Sequence, residues 1–329
     1  MLRPDALVQR TSVSSANLVI SRSWKIGSVA AGRSCVACVK DLPNDRSRSK
    51  LDTRERLRHP LSMLALTEPS PPLLPFVDGY LYVRDLAGEH RDRPIRTAPR
   101  PGGVLTINLG RPNRTADGAA TPILSLLGVQ MCARSWRSDA DTHFVMALLT
   151  PAGLARFAPG VGLETAGALL DLSSLMGERA TSALLDVVYA GSDGLAAALD
   201  AWLLPRLAGG RERPEMRLAQ AACTILSRAR RIDVAAKRLG VSRRHLSRII
   251  SHHLGIGPKT LMDLYRLDRS LRAIQGGEAD SVDGFTDQAH QVREWRRRLG
   301  ITPGRYAREA RSPLAEAFDS AVDRPAFYL

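Results

Sequence analysis

Residues 232–250 read IDVAAKRLGVSRRHLSRII, a pattern that predicts two short helices joined by a tight turn. The first helix has a face of small and apolar residues, namely Ala235, Ala236 and Leu239. Gly240 can adopt the positive φ angle that often ends a helix. Ser242 is a preferred N-cap for the second helix, whose inward positions are Leu246, Ile249 and Ile250.

The same spacing predicts an outward face on the second helix that carries Arg243, Arg244, Ser247 and Arg248. In a helix-turn-helix, the N-terminal part of the second helix enters the major groove of DNA. Arginine suits this position because its guanidinium can make two hydrogen bonds to guanine. We therefore interpret residues 232–250 as a DNA-reading motif.

A second segment, residues 284–306, reads GFTDQAHQVREWRRRLGITPGRY. Thr286 is the expected cap of its helix. The predicted buried stripe is apolar and consists of Phe285, Ala289, Val292, Trp295 and Leu299. The predicted outward candidates for DNA contact are Gln288, His290, Gln291 and Arg293. Between the two segments, Leu261, Leu264, Leu267 and Leu271 predict one long helix.

Three phrases and their spacing resemble the double helix-turn-helix domain of the AraC/XylS family of transcription activators: GVSRRHLSRII, GIGPK and GFTDQAHQVREWRRRLGITPGRY. The phrases PLLPFVDGYLYVRDL, VLTINLG and LTPAGLARF are similar to a β-rich N-terminal domain of some members. The resemblance covers roughly residues 70–310. It implies a sequence-specific DNA-binding transcriptional regulator whose main partner is double-stranded DNA. Further partners that it implies are RNA polymerase, a small-molecule effector or a second copy of the chain.

The sequence departs from this family at one place. Only residues 278–283 separate Gly277 from Gly284, where family members carry a full short helix. We therefore expect the second recognition helix to be less firmly supported than the first. The alternative is a degenerate member that acts by pairing with another regulator.

The middle of the chain contains short apolar runs separated by glycine and proline, at residues 80–83, 104–109, 123–129 and 144–149. Such runs predict strands of a small sandwich or barrel. Helices are expected from residue 151 onward, with one predicted apolar face that includes Leu169, Leu170, Leu172 and Leu175. The predicted fold is α+β: a β-rich, cupin-like sandwich or barrel with helices, followed by an all-α double helix-turn-helix domain.

Four regions are predicted. Residues 1–62 are a basic arm, either disordered or upstream sequence outside the natural protein. Residues 63–210 form the β-rich sensing or dimerisation domain, residues 211–310 form the DNA-binding domain, and residues 311–329 form a tail.

The chain has a formal net charge of +14. Residues 231–310 hold 16 Lys/Arg and 9 Asp/Glu, so the predicted DNA-binding region is basic, as a polyanionic partner requires. Arg296, Arg297 and Arg298 are expected to favour phosphate contact.

Other candidate sites have little support in the sequence. Cys35 and Cys38 form a CxxC without a second pair at zinc spacing. His252 and His253 are adjacent, so they cannot form an i, i+4 metal pair, and we expect both to face solvent. We predict no catalytic residue, no metal and no cofactor; the enzyme alternative would be one on a cupin-like barrel. No apolar run is long enough to span a membrane, and a cytoplasmic protein is expected.

Overall fold

The computed structural model describes residues 62–308 and 328–329, except for residues 89, 92–93, 160–161, 163–165, 191–193, 209–213, 279–284 and 286. The predicted arm therefore lies outside the described residues, apart from Ser62. The shortened connection at 278–283 does so too, apart from Glu278. The predicted tail is described only at its last two residues.

Within the described residues, nine strands form two antiparallel sheets: β1 (Ser62–Thr67), β2 (Val77–Asp85), β3 (Ile95–Thr97), β4 (Val104–Asn108), β5 (Arg114–Thr115), β6 (Leu124–Leu127), β7 (Arg134–Arg137), β8 (Thr142–Leu149) and β9 (Leu169–Asp171). The larger sheet has the order β1-β2-β8-β4-β6-β9, and the smaller has the order β3-β7-β5. The four predicted runs correspond to β2, β4, β6 and β8. The strands missed by the sequence are the first one and four that have four residues or fewer.

The larger sheet is covered on both faces, because alternate side chains of a strand point to opposite sides. Leu105 and Ile107 of β4 belong to the main core, which includes the helices. Val104 of the same strand packs with Phe144 and Met146 in a second core. This explains why β8 is apolar almost throughout: both of its faces are covered.

Ten helices are described: α1 (Pro151–Phe157), α2 (Leu172–Met176), α3 (Glu178–Ala190), α4 (Leu195–Ala208), α5 (Pro214–Arg228), α6 (Ile232–Arg238), α7 (Arg243–Leu254), α8 (Pro258–Gln275), α9 (Gln288–Leu299) and α10 (Pro303–Arg308). None of the helices in the described part of the chain is long and apolar enough to cross a membrane. The architecture is mixed α+β, with the β-rich region first and the helical region after it.

One predicted helix face is wrong in its first part. Leu169 and Leu170 lie in β9, which pairs with β6 through Leu127 and Leu126. The helix begins only at Leu172, capped by the side chain of Asp171. Four leucines at this spacing fit a helix stripe, but the first two complete the edge of the larger sheet, an outcome that depends on a partner strand far away in sequence.

The main core continues from the β-rich region into the helical region without a break. It joins Leu154 and Ala155 of α1 to Ala222 of α5 and to Leu246 and Ile250 of α7. Helix α5 begins at Pro214. The predicted boundary between residues 210 and 211 therefore lies in the link between two helices, and the apolar packing extends across it.

Candidate nucleic-acid interface

The first helix-turn-helix consists of α6 and α7, and its turn has the predicted parts. Gly240 adopts φ +67°, a conformation that side chains other than glycine rarely adopt. The backbone N–H of Val241 donates to the carbonyl of Ala236 at 3.1 Å, which closes the end of α6. Ser242 caps α7, because its Oγ accepts a hydrogen bond from the backbone N–H of His245 at 3.1 Å. The local sequence thus fixes the angle at which α7 leaves the turn.

Helix α7 has a fully buried inner face and a basic outer face. Leu246 and Ile250 are each 0% exposed. Arg243, Arg244 and Arg248 are exposed, whereas Ser247 is half-buried. Within the described residues, no acidic side chain forms an ion pair with any of these three arginines; Arg248 instead lies 3.1 Å from His245 Nδ1. The outer face can therefore present its positive charge to a polyanion.

Helix α9 is the second recognition helix, and its inner face differs from the prediction. Trp295 and Leu299 are buried as expected, but Ala289 is exposed. Gln291 and Arg298 complete the buried face instead. The helix is therefore rotated from the orientation inferred from its apolar residues alone, because two polar side chains find hydrogen-bond partners inside.

The prediction that Gln291 faces outward is wrong. Its side chain is 3% exposed, and its Nε2 donates to Ser270 Oγ of α8 at 2.9 Å. Buried amides need such partners, and no local pattern in the sequence indicates that Ser270 provides one. The cap also differs: Asp287, rather than Thr286, accepts the backbone N–H of His290 at 2.7 Å.

The outer face of α9 includes Gln288, Arg293 and Arg296, which are all exposed. His290 is half-buried, with its ring centroid 5.5 Å from that of Phe285. Arg297 Nη2 forms an ion pair with Glu294 Oε2 at 2.6 Å, and Arg298 is buried beside the same carboxylate. Of the three consecutive arginines, Arg296 is thus the most available for phosphate.

Comparison with known proteins identifies the helical region. The family described as "Helix-turn-helix domain" matches residues 235–309, which include both recognition helices. The C-terminal part of the chain is an AraC-type helix-turn-helix domain. A chain with this domain is a DNA-binding transcriptional regulator. Among curated proteins, no relative matches the sequence.

Solved structures with some likeness to the chain include ToxT from Vibrio cholerae O395, at 12% identity and a TM-score of 0.36, over 65% of this chain and 92% of that one. ToxT from Vibrio cholerae strain SCE256 with a bound unsaturated fatty acid gives the same identity and TM-score, over 65% and 89%. The AraC-like transcriptional activator CuxR has 13% identity and a TM-score of 0.20, over 68% and 90%.

Hydrogen bonds at the C-terminal end of α9 join the AraC-type domain to the β-rich region. Arg96 Nη2 of β3 donates to the carbonyl of Leu299 at 2.7 Å. The backbone N–H of Ala133 donates to the carbonyl of Arg298 at 2.7 Å, and Arg298 Nη1 donates to the carbonyl of Met131 at 3.0 Å. The last carbonyls of a helix lack partners within it, so these donors satisfy groups that the helix leaves open.

Arg298 and Glu294 form the ionic part of this contact. Arg298 is 4% exposed, and burial lowers the pKa of its guanidinium. Burial opposes ionisation of Glu294 as well, but hydrogen bonds from Arg297 and Arg298 outweigh it and lower the pKa of this carboxyl. A buried arginine with a carboxylate on one side and a carbonyl on the other positions α9 rather than contacting DNA.

Tyr328 and Leu329 connect the same two regions. Tyr328 forms an antiparallel bridge with Thr97 of β3, and the backbone N–H of Leu329 donates to the carbonyl of Arg96 at 3.0 Å. On the helical side, Gln275 Nε2 donates to the carbonyl of Tyr328 at 3.2 Å. The two neighbouring residues pack into different cores, Tyr328 between the sheets and Leu329 against α8 and α9.

The expectation that both histidines of α7 face solvent is wrong for one of them. His252 is exposed, but His253 is 5% exposed and neither of its ring nitrogens has a hydrogen-bond partner in the described structure. Burial, aided by the nearby His252, lowers the pKa of His253. Among the described residues, no three His, Cys, Asp or Glu side chains group as a metal site requires.

A cavity of about 60 Å³ lies between the two sheets. Alternate residues of β4 contribute Val104, Thr106 and Asn108 to its wall, and Trp136 and Tyr328 lie on other sides.

Proposed function

We propose that this regulator recognises specific DNA sites by placing α7 in a major groove, with Arg243, Arg244, Ser247 and Arg248 as its contact residues. The observation that carries the proposal is the two-sided character of α7. Its inner face is buried in the main core, and its outer face carries three exposed arginines directly after a capped N-terminus. A rigid helix with that outer face meets the geometric needs of base recognition.

Helix α9 is proposed as a second contact with Gln288, His290 and Arg293 as its candidate residues. Arg296 joins them because it is exposed on the same helix. Gln291 is no longer a candidate, since its amide is buried against Ser270. With two arginines and one exposed glutamine, this face suits phosphate contacts that fix position more than base contacts that specify sequence.

Two measurements test the proposal. Genome-wide mapping of bound DNA should yield a recurring site, and competition binding on that site should separate specific from non-specific affinity. We expect Arg244→Ala to reduce specific binding, whereas Arg179→Ala, an exposed arginine of α3, should leave it unchanged. Equal losses in the two variants, or no recurring site, would favour the degenerate alternative that acts by pairing with another regulator.

A small-molecule effector is a further partner that the resemblance predicts. ToxT is described with an unsaturated fatty acid bound. Contact with RNA polymerase, formation of a homodimer and activation as the direction of control remain predictions of the resemblance.

A further inference from the structure

Arg248 differs from the other two arginines on the outer face of α7. Its Nη2 lies 3.1 Å from Nδ1 of His245, which is three residues earlier on the same helix. In the part of the chain that the structure describes, the side chains of Arg243 and Arg244 form no hydrogen bond or ion pair with another side chain. Of the three arginines, Arg248 is therefore the one whose direction is defined before DNA arrives.

This contact defines the protonation state of His245. A guanidinium has N–H donors and no acceptor, so Nδ1 of the imidazole must offer its lone pair. The ring is then neutral, with its proton on Nε2. A protonated imidazole carries a hydrogen on both nitrogens, so it would lose the bond and place a second positive charge beside the guanidinium. The bond between His245 and Arg248 therefore requires a neutral imidazole.

His245 is itself held in place. Its backbone N–H donates to Ser242 Oγ in the N-cap of α7, and its side chain is half-buried. The acceptor for Arg248 is thus anchored in the first turn of the helix, the part that would enter a groove. A bond from one N–H orients the whole planar guanidinium and leaves its other donors for a base. A guanine is read through two hydrogen bonds from such a group.

The acidic side chains on the described helices packed against α7 have other contacts. Those of α6 and α8 form ion pairs with nearby arginines, and these carboxylates are Asp233, Asp263 and Asp268. Glu215 of α5 acts on His253, near the opposite end of α7, and α1 has no acidic residue. The remaining charged side chains of these four helices are lysines and arginines. Protonation of His245 would therefore add positive charge to basic surroundings.

We propose that His245 is the positioning residue that orients Arg248 for base recognition, and that Arg248 determines specificity through this contact. The proposal rests on the proposed placement of α7 in a major groove. Ordering a side chain with many rotamers costs binding free energy at an interface, and His245 reduces that cost in advance. Base contacts need fixed geometry, whereas phosphate contacts fix position without reading sequence. The effect of His245 therefore falls on discrimination between DNA sites.

A double-mutant cycle on the full chain tests whether His245 acts through Arg248. His245→Phe keeps an aromatic ring without the acceptor, and His245→Gln keeps an acceptor that does not titrate. In competition binding on the mapped site, we expect His245→Phe to reduce discrimination by about threefold to tenfold and His245→Gln to retain most of it. In the Arg248→Ala background, His245→Phe should cause no further loss. An unchanged His245→Phe, or additive losses, would overturn the proposal.

A pH profile adds a readout that a structural role alone would not change. Between about pH 8 and about pH 5.5, where histidine takes up its proton, discrimination by the native chain should fall by a similar factor. Affinity for unrelated DNA should rise, because positive charge increases. His245→Gln should lack the fall in discrimination, whereas His252→Gln, at an exposed position on the same helix, should keep it. Circular dichroism at each pH confirms folding, and persistence of the fall in folded His245→Gln would overturn the proposal.

Nuclear magnetic resonance of the free protein tests the contact without DNA. The imidazole nitrogens of His245 should report the neutral form with its proton on Nε2, and Arg248→Ala should shift the Nδ1 resonance, whereas Arg179→Ala should not. A proton on Nδ1 at pH 8 would overturn the contact. Absence of any preferred DNA site would instead contradict the proposed function. A native chain that prefers its site and is indifferent to His245→Phe would contradict this proposal alone.

Discussion

Trp295 of α9 donates its indole N–H to Ser270 Oγ of α8 at 3.1 Å, and both residues are fully buried. The same hydroxyl accepts the amide N–H of Gln291. One small side chain thus satisfies two donors on the inner face of the second recognition helix. This hydroxyl gives α9 a defined rotation about its axis that apolar packing alone would not specify.

Ser270→Ala should destabilise the protein by about 1–3 kcal/mol, because it removes the acceptor of the hydrogen bond from the buried indole N–H of Trp295. Denaturant unfolding of the full chain measures the loss. Thr224→Ala is the matched control, since that hydroxyl is exposed and bonds only within its own helix. A Ser270 variant as stable as the control would show that the two donors find other partners.

The two recognition helices should differ in what their substitutions do to DNA binding. We expect Arg244→Ala or Arg248→Ala to cost about 1–3 kcal/mol of discrimination if the side chain reads a guanine. Gln288→Ala should cost clearly less, and Arg293→Ala should weaken all sequences about equally. Competition binding on the mapped site provides the comparison. A loss of discrimination in Gln288→Ala as large as that in Arg244→Ala would show that α9 reads bases as α7 does.

Gln291→Ala should act on stability rather than on base discrimination. Its amide is buried against Ser270, so truncation removes a hydrogen bond and leaves a small cavity beneath α9. We expect a lower free energy of unfolding and, in the folded protein, unchanged relative preference among DNA sites. A selective loss at particular base positions would mean that Gln291 turns outward on DNA.

DNA binding should depend steeply on salt, because the helical region carries the excess of positive charge. If about six phosphates are neutralised, affinity should fall about a thousandfold between 50 and 200 mM salt. Titrations of the full chain at several salt concentrations give the slope. Arg293→Ala should reduce the slope by about one, and Arg179→Ala should not change it. A slope near zero would contradict the electrostatic account.

His253 should make the protein less stable in mild acid. Burial, with a contribution from His252, lowers its pKa, so the unfolded chain takes up a proton before the folded chain does. Its contribution to stability is therefore present above the ordinary histidine pKa of about 6.5 and is lost as pH falls toward the lower folded value.

His253→Leu should remove most of this loss, whereas His252→Leu should remove only the smaller part that His252 contributes. Thermal unfolding of both variants and the native chain, between about pH 5 and 8, isolates the contribution of His253. Identical pH dependence in all three proteins would show that the histidine finds a partner on protonation.

Much of the first helix-turn-helix could be predicted from the sequence, because its determinants are local. Gly240 ends α6, Ser242 caps α7, and Leu246 and Ile250 are spaced to lie on one face. Each of these effects acts within a few residues, so a short window of sequence contains the information. The strands with apolar runs, such as β4 and β8, were predictable for the same reason.

The second recognition helix was predictable as a helix but not in its rotation. Reading apolar residues as buried placed Ala289 inside and Gln291 outside, whereas the structure has the reverse. The reason is that burial of Gln291 and Arg298 depends on Ser270, Glu294 and the carbonyl of Met131, and two of these lie outside α9. Nothing near residue 291 indicates those partners.

The sequence by itself therefore determined the elements whose signals are short-range: the turn, the caps, the basic outer face of α7 and the strongest strands. Only the tertiary structure decided the pairing of Leu169 with Leu127, the burial of Gln291, and the position of Tyr328 beside the cavity. The physical reason is that a cap or an apolar stripe is made by neighbours along the chain, whereas a buried polar group is stable only where a distant residue supplies its hydrogen bond.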